Sequence, residues 1–287
     1  MKEETAPIQT LRGVCGRREG IRSVLSLGVQ TRVHTAPVDL VERKGPPFAR
    51  HPWEVARAEF FLRLLGRHGY TAGGDWLDAG AGDAWLGRRL RALLPPASTM
   101  TCWDVNYTKD DLEMYGASGV AGIAFVADRP TKRFDRVLML DVIEHVEDEV
   151  AFVAAIVEDL LVEDGVLLVS VPAYPSLYCS HDRVLRHYRR YSPGDCRRLL
   201  ERAGLAVISS GGLFFSLLPA RTARVLVERL LHVRPHSSGV GDWQAGRVVT
   251  GALTRALVAD GRLSLLLSER GFSLPGLSYW ALCRPSL

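Results

Sequence analysis

An alternation of short apolar strand patterns with amphipathic helical patterns, running from residue 75 to residue 209, constrains this chain more than any other feature. Strand patterns fall at 75–79, 99–104, 123–127, 136–140, 166–171 and 206–209, and helical patterns separate them at 86–94, 151–161 and 193–203. A further amphipathic stretch, 53–68, precedes the first strand and presents Val55, Phe60, Phe61, Leu64 and Leu65 on one stripe. Ser192-Pro193-Gly194-Asp195 suits a helix start, with Ser192 as N-cap, Pro193 in the first turn and Asp195 near the positive end of the dipole. Ala203-Gly204 supplies the stop. Strands alternating with helices of this length imply βαβ units and a mostly parallel sheet with helices on both faces. The run Val166-Leu167-Leu168-Val169 fits a strand covered on both sides. Past Gly211, helical stretches at 217–232 and 247–270 precede a last strand pattern at 278–283.

Chain length and charge narrow the function classes. The 287 residues fit one α/β domain with insertions, read as 47–287, with a cofactor half at about 70–172 and an acceptor-side lid and helical insertion at about 173–275. Residues 1–46 mix Gly, Arg, Thr and Pro without periodicity and are expected to be an extension, partly mobile or closing as a lid. Residues 1–50 hold the whole formal excess of +4, so residues 51–287 are neutral. A nucleic-acid partner is therefore not expected. No apolar run reaches the ~18–20 residues of a spanning helix, and no secretory leader pattern opens the chain. Cys15, Cys102, Cys179, Cys196 and Cys283 are odd in number and scattered, which favours a reducing compartment, so a cytoplasmic protein is expected.

The segment Leu77-Asp78-Ala79-Gly80-Ala81-Gly82-Asp83 is a strand end running into a glycine turn and then a helix. Two glycines let the backbone approach a ligand at the C-terminal edge of the sheet. A dinucleotide fingerprint would need a third glycine where Trp85 stands, and Asp78 adds negative charge where a pyrophosphate would lie. A carboxylate there suits a cationic ligand such as S-adenosylmethionine, with its ammonium and sulfonium. Asp104, about 20 residues on, stands where an acid holds ribose hydroxyls, with Val105 beside it for the adenine face. Asp128 and Arg129 follow the third strand, and Asp141 and Val142 the fourth. Each acid also has a bland reading, as a helix cap or a turn residue.

Asp78–Gly82, Asp104, Asp128 and Asp141-Val142-Ile143-Glu144-His145 together resemble the class I S-adenosylmethionine-dependent methyltransferases over roughly residues 51–215. The resemblance implies a Rossmann-like seven-stranded sheet with the last strand antiparallel and a helical insertion before it. It implies that Asp78, Gly80 and Gly82 surround the methionine part, Asp104 the ribose and Asp128 the adenine. Val171-Pro172-Ala173-Tyr174, His181-Asp182 and His187-Tyr188-Arg189-Arg190-Tyr191 look like quinone-type O-methyltransferases, as do His51-Pro52-Trp53 and Arg57. The expected reaction is methyl transfer to oxygen or nitrogen of a small-molecule or lipid-like acceptor. Rival readings are an RNA-modifying enzyme and a catalytically silent cofactor-binding scaffold.

His145, His181 and His187 are the candidate acid–base groups; each also reads as an ordered polar residue. Asp141, Glu144, His145 and His187 resemble the ligand set of metal-dependent relatives, although the metal-free reading is preferred. The arginines at 183, 186, 189, 190, 197 and 198 read either as an anion site or as a solvated helix face. The apolar stretch 213–219 with Val225, Leu226, Leu230 and Leu231 reads as core, as an acceptor wall, or as a surface resting on a membrane with Arg221, Arg224 and Arg229 at its rim. Oligomeric state is not readable.

Overall fold

Within the expected N-terminal extension, β1 (Ile21–Ser26) and β2 (Val29–His34) pair antiparallel as a separate two-stranded ribbon. The computed structural model describes residues 21–26, 29–34, 50–117, 119–231 and 243–286. The remaining strands form one sheet: β3 (Asp75–Ala79), β4 (Thr99–Trp103), β5 (Ile123–Val126), β6 (Phe134–Leu140), β7 (Leu161–Pro172), β8 (Leu205–Leu213) and β9 (Ser278–Pro285). Their order is β5-β4-β3-β6-β7-β9-β8. β9 is antiparallel to both β7 and β8, and the pairings from β5 to β7 are parallel. The chain starts at β3, steps out to β5, then returns to β6 on the other side. The carboxyl ends of β3 and β6 therefore flank a topological switch point, where open α/β sheets hold their ligands.

Burial follows the strand period of two. Val137 and Met139 of β6 join Leu167 and Val169 of β7 in one core layer, against Ile156 and Leu160. Leu138 and Leu140 join Leu168 in the opposite layer, with Phe60, Phe61, Leu64 and Trp280. The helices are α1 (Pro52–Arg67), α2 (Trp85–Arg91), α3 (Lys109–Gly116), α4 (Glu149–Leu160), α5 (Ser180–Val184), α6 (Pro193–Arg202), α7 (Leu218–Leu231) and α8 (Arg247–Ser268). α4 and α6 supply the first layer, α1 and α8 the second.

Several boundaries differ from the sequence expectation. Leu161 begins β7 instead of closing a helix, and β7 runs through 161–172 with an irregular register opposite Phe134 and Arg136. β8 extends to Leu213, and Leu213 and Phe214 are core residues. α3 and α5 were not anticipated. Only Tyr115 of α3 is buried, so it has no apolar periodicity to read.

Candidate active site

The glycine turn is held from three directions. Gly80 and Ala81 donate backbone N–H bonds to the Trp103 carbonyl (2.8 and 3.1 Å), and Gly82 donates to Asp104 Oδ2 (2.9 Å). Gly80 has φ +73°, and a Cβ there would lie 2.6 Å from Val142 Cγ2. The loops after β3 and β6 therefore meet with no room for a side chain on Gly80. The start of α1 is tied to the turn through Arg50 and Asp83. His51 caps this helix with its ring, accepting from Trp53 N (3.1 Å), while Glu54 accepts from His51 N (3.1 Å). Arg50, just before it, pairs with both Glu54 and Asp83 and lies over Trp85.

Asp78 and Asp104 are both buried. Burial raises the Asp78 carboxyl to about 7, against a smaller opposing pull from Arg57. One face of it approaches Gly87 of α2, where a Cβ would stand 3.1 Å from Asp78 Oδ2 and 2.8 Å from Cys102 Sγ. Asp104 accepts from Gly82 N, Asn106 N (2.9 Å) and Asn106 Nδ2 (3.0 Å). Burial also raises its pKa, against those hydrogen bonds. A carboxylate has about four acceptor sites, so about one remains for a ribose hydroxyl unless Asn106 turns away. Asp128 is exposed in the loop after β5, while the Arg129 guanidinium bonds Asp159 (2.8 Å) and the Ala155 carbonyl (3.0 Å) on α4. Val105 and Val142 are half-buried at the same edge, and Ala79 and Ala81 continue the turn.

The metal-like set does not come together as a foursome. Glu144, His145 and His187 each offer a ligand atom, all within 4.8 Å of one another. Asp141 stands outside this group. Its backbone takes φ +59°, its Oδ1 accepts from Ser170 Oγ (2.9 Å) and its Oδ2 pairs with Arg57 (2.8 Å). The sequence pattern missed Arg57 as the partner of Asp141 because the two are far apart in sequence and are joined only by the packing of α1 on the sheet.

The His187 ring sits 4.7 Å from that of His145, at 79°. Its Nδ1 lies 3.0 Å from Asp182 Oδ1. Asp182 is fully buried and also accepts from Arg190 Nε (2.7 Å), an Arg221 Nη (2.9 Å) and Cys179 N (2.9 Å). These donors hold its carboxyl well below the usual range despite its burial. Asp182 therefore stays ionised and accepts from His187 Nδ1–H, which leaves the other ring nitrogen pointing away from Asp182. His181 differs: burial, then Arg221, lowers it to about 4, which leaves it neutral at pH 7.

Residues 174–191, expected to form part of a lid, are tied down at many points. Tyr178 Oη donates to the His187 carbonyl (2.9 Å), Tyr188 N to the Glu144 carbonyl (2.8 Å) and Tyr191 Oη to the Ile143 carbonyl (3.1 Å). The arginine run is mostly spent on such ties. Arg183 pairs with Glu228, Arg189 with Glu149, Arg190 with Asp182 and Arg198 with Asp195. Arg221 and Arg229 of the expected membrane rim turn to Asp182 and to the Ser176 carbonyl. Leu226, Val227, Leu230 and Leu231 are left exposed on α7. Among the described residues no helix is long and apolar enough to cross a membrane.

A glycine turn, a strand-end acid and a seven-stranded sheet with its antiparallel strand between β7 and β8 define a cofactor-binding α/β transferase fold. A family model described as a methyltransferase domain matches residues 50–210, and the chain belongs to that family. It is a methyltransferase that uses S-adenosylmethionine. No curated protein matches it. Among solved structures, one similar chain is the 1,6-didemethyltoxoflavin-N1-methyltransferase of Burkholderia thailandensis. It is 18% identical, covers 66% of this chain and 91% of its own, and has a TM-score of 0.42. Another is the phosphoethanolamine N-methyltransferase 2 of Haemonchus contortus, 15% identical, covering 75% of this chain and 49% of its own, at a TM-score of 0.46. A magnesium protoporphyrin IX methyltransferase from Synechocystis, solved with bound S-adenosylmethionine, is 18% identical over 55% of this chain and 72% of its own, with a TM-score of 0.43.

Proposed function

We propose that the chain methylates an oxygen or nitrogen of a small-molecule acceptor, with His187 holding the proton the acceptor loses. S-adenosylmethionine supplies an electrophilic methyl group on a sulfonium. The Gly80–Gly82 turn and Val142 would border its methionine part, Asp78 would face its positive charge, and Asp104 would accept from its ribose. Asp128, Val105 and the backbone at Arg129 would line the adenine end. The observation that carries the reading is the Asp182–His187 pair, which fixes the imidazole tautomer and leaves a ring nitrogen within the Glu144–His145 group. A positioned base of this kind contributes about 10²–10⁴-fold to a proton-coupled transfer. His145 borders the acceptor, and neutral His181 stands beyond it.

The test is release of S-adenosylhomocysteine from S-adenosylmethionine across a panel of phenols, carboxylic acids and amines. Turnover with at least one acceptor is expected, and His187→Gln should lower kcat by about 10²-fold or more while cofactor affinity holds. Intact cofactor binding with no release for any acceptor would make the chain a silent scaffold.

A second reading has a specific observation in its favour. One carboxylate and two imidazoles within 4.8 Å form a donor set suited to a divalent cation, and Asp182 behind His187 supplies the outer support such ligands use. A cation there would lower the pKa of an acceptor hydroxyl and make the base unnecessary. Metal content after dialysis against Mn²⁺ or Zn²⁺ separates the two: stoichiometric metal lost in His187→Ala supports the ion. Metal-free protein with full turnover returns His187 to the role of base.

A further inference from the structure

The insertion between β8 and β9 carries a buried positive excess that no acid on the described residues answers. Asp182 is shared by Arg190 and Arg221, so two guanidinium groups draw on one carboxylate. Arg224, one turn further along α7, lies near enough to His181 and Arg221 to disfavour the charged form of each. Its Nε and one Nη are buried and have no hydrogen-bond partner among the described residues, and the Nε of Arg221 is buried likewise. Glu228, on the next turn of α7, does not compensate them. Both its oxygens are taken by Ser180 N, Ser180 Oγ and Arg183. Arg183, Arg189 and Arg198 are matched to acids and Arg229 to the Ser176 carbonyl, whereas Arg224 has no such partner among the described residues.

A guanidinium nitrogen held from water without an acceptor is costly, and charged groups left unpaired are more so. Such an arrangement persists where a ligand completes it. The geometry points to an oxyanion, a carboxylate or a phosphate, bound by Arg224 and Arg221 as part of the methyl acceptor. The inference rests on the methyl-transfer reading and adds to it the charge class of the substrate. The chain of contacts fits: His145 meets His187, His187 meets Asp182, and Asp182 meets Arg221. An acceptor anchored by its anion at α7 would extend along these side chains toward the loops after β3 and β6. Arginine suits the task because its fork matches two oxygens at once.

The test uses the full chain saturated with S-adenosylhomocysteine and titrated with sodium benzoate or inorganic phosphate, with sodium chloride at matched ionic strength as the control. A saturable rise in melting temperature is expected for at least one anion. The tighter of the two identifies the group as carboxylate or phosphate. Arg224→Gln should weaken half-saturation by on the order of tenfold, the loss of one or two charge-assisted hydrogen bonds, and Arg224→Lys should fall between. The shift from S-adenosylhomocysteine itself should survive both substitutions. That separates failure of the anion site from failure of the cofactor site. On the unmodified sequence, benzoate or phosphate should slow phenylglyoxal attack at Arg224, read by mass spectrometry. Equal titrations in the wild type and Arg224→Gln, or unchanged attack at Arg224, would overturn the inference.

Discussion

At the scale of single residues, Asp78 and Gly80 show how much a short motif specifies. The sequence placed an acid before a glycine turn, but its protonation is set by burial, which only the packed β3 and α2 reveal. An acid raised from 3.8 to about 7 binds its proton more tightly in the folded state. Its contribution to stability is complete below pH 3.8 and is lost as pH rises through about 7. The ligand-free protein should therefore melt several degrees lower at pH 8 than at pH 5 on account of this group, and Asp78→Asn should remove most of that difference. Calorimetry of both proteins across that range checks it, and a slope that Asp78→Asn leaves unchanged would assign the loss to other groups. Gly80 makes a second test. An alanine there needs an unfavourable positive φ and meets Val142, so Gly80→Ala should cost about 1–3 kcal/mol and weaken cofactor binding. Val142→Ala should restore the steric part in the double variant, so additive losses in that cycle would separate the two loops.

At the scale of elements, helices and strands with an apolar stripe were legible to within a few residues, and those without one were not. α1, α4, α6 and most strands begin close to where patterning and caps put them, because burial of one face sets both the pattern and the fold. α3 carried a readable signal in Thr108-Lys109-Asp110-Asp111: Thr108 and Asp111 cap one another's backbone N–H (3.1 and 3.0 Å). α5 carried none, since its place is fixed by Asp182 and Glu228 bonding groups distant in sequence. The pairing of Arg57 with Asp141 and of Arg221 with Asp182 was unreadable for the same reason. Asp182→Asn should destabilise the protein by about 3–5 kcal/mol, because Arg190 and Arg221 keep their burial and lose their counter-charge. Hydrogen exchange should rise across residues 174–191 and stay unchanged in β3 and β4. A uniform rise would mean that the segment unfolds only with the whole domain.

At the scale of the whole molecule, the proposed cofactor site and the proposed acceptor side are parts of one sheet edge, and the chain reaches the second only after finishing the first. β3 to β6 bring Asp78, Asp104 and Asp141 to neighbouring strand ends, which is why the acids at successive strand ends were informative in sequence. The proposed acceptor side would draw on the segment after β7 and on the insertion between β8 and β9, which meet through the contact of Asp182 with Arg221, 39 residues apart. No local pattern encodes that distance. The insertion also turns polar groups of α7 inward and leaves Leu226, Val227, Leu230 and Leu231 outside, the reverse of an ordinary surface helix. If the loops after β3 and β6 hold the cofactor, ligand binding stabilises the folded state by mass action, about 2.7 kcal/mol at a hundredfold excess over Kd. For a domain of this size that is a rise of roughly 5–10 °C in melting temperature. S-adenosylhomocysteine should produce it in the wild type and in Arg224→Gln alike, and should produce much less in Asp104→Ala, which loses both the ribose acceptor and the anchor of Gly82 N. Asp104→Ala should also melt lower without ligand, because that anchor belongs to the fold. An undiminished ligand shift in Asp104→Ala would leave Asp104 as a structural residue of the turn and move the ribose elsewhere on the edge.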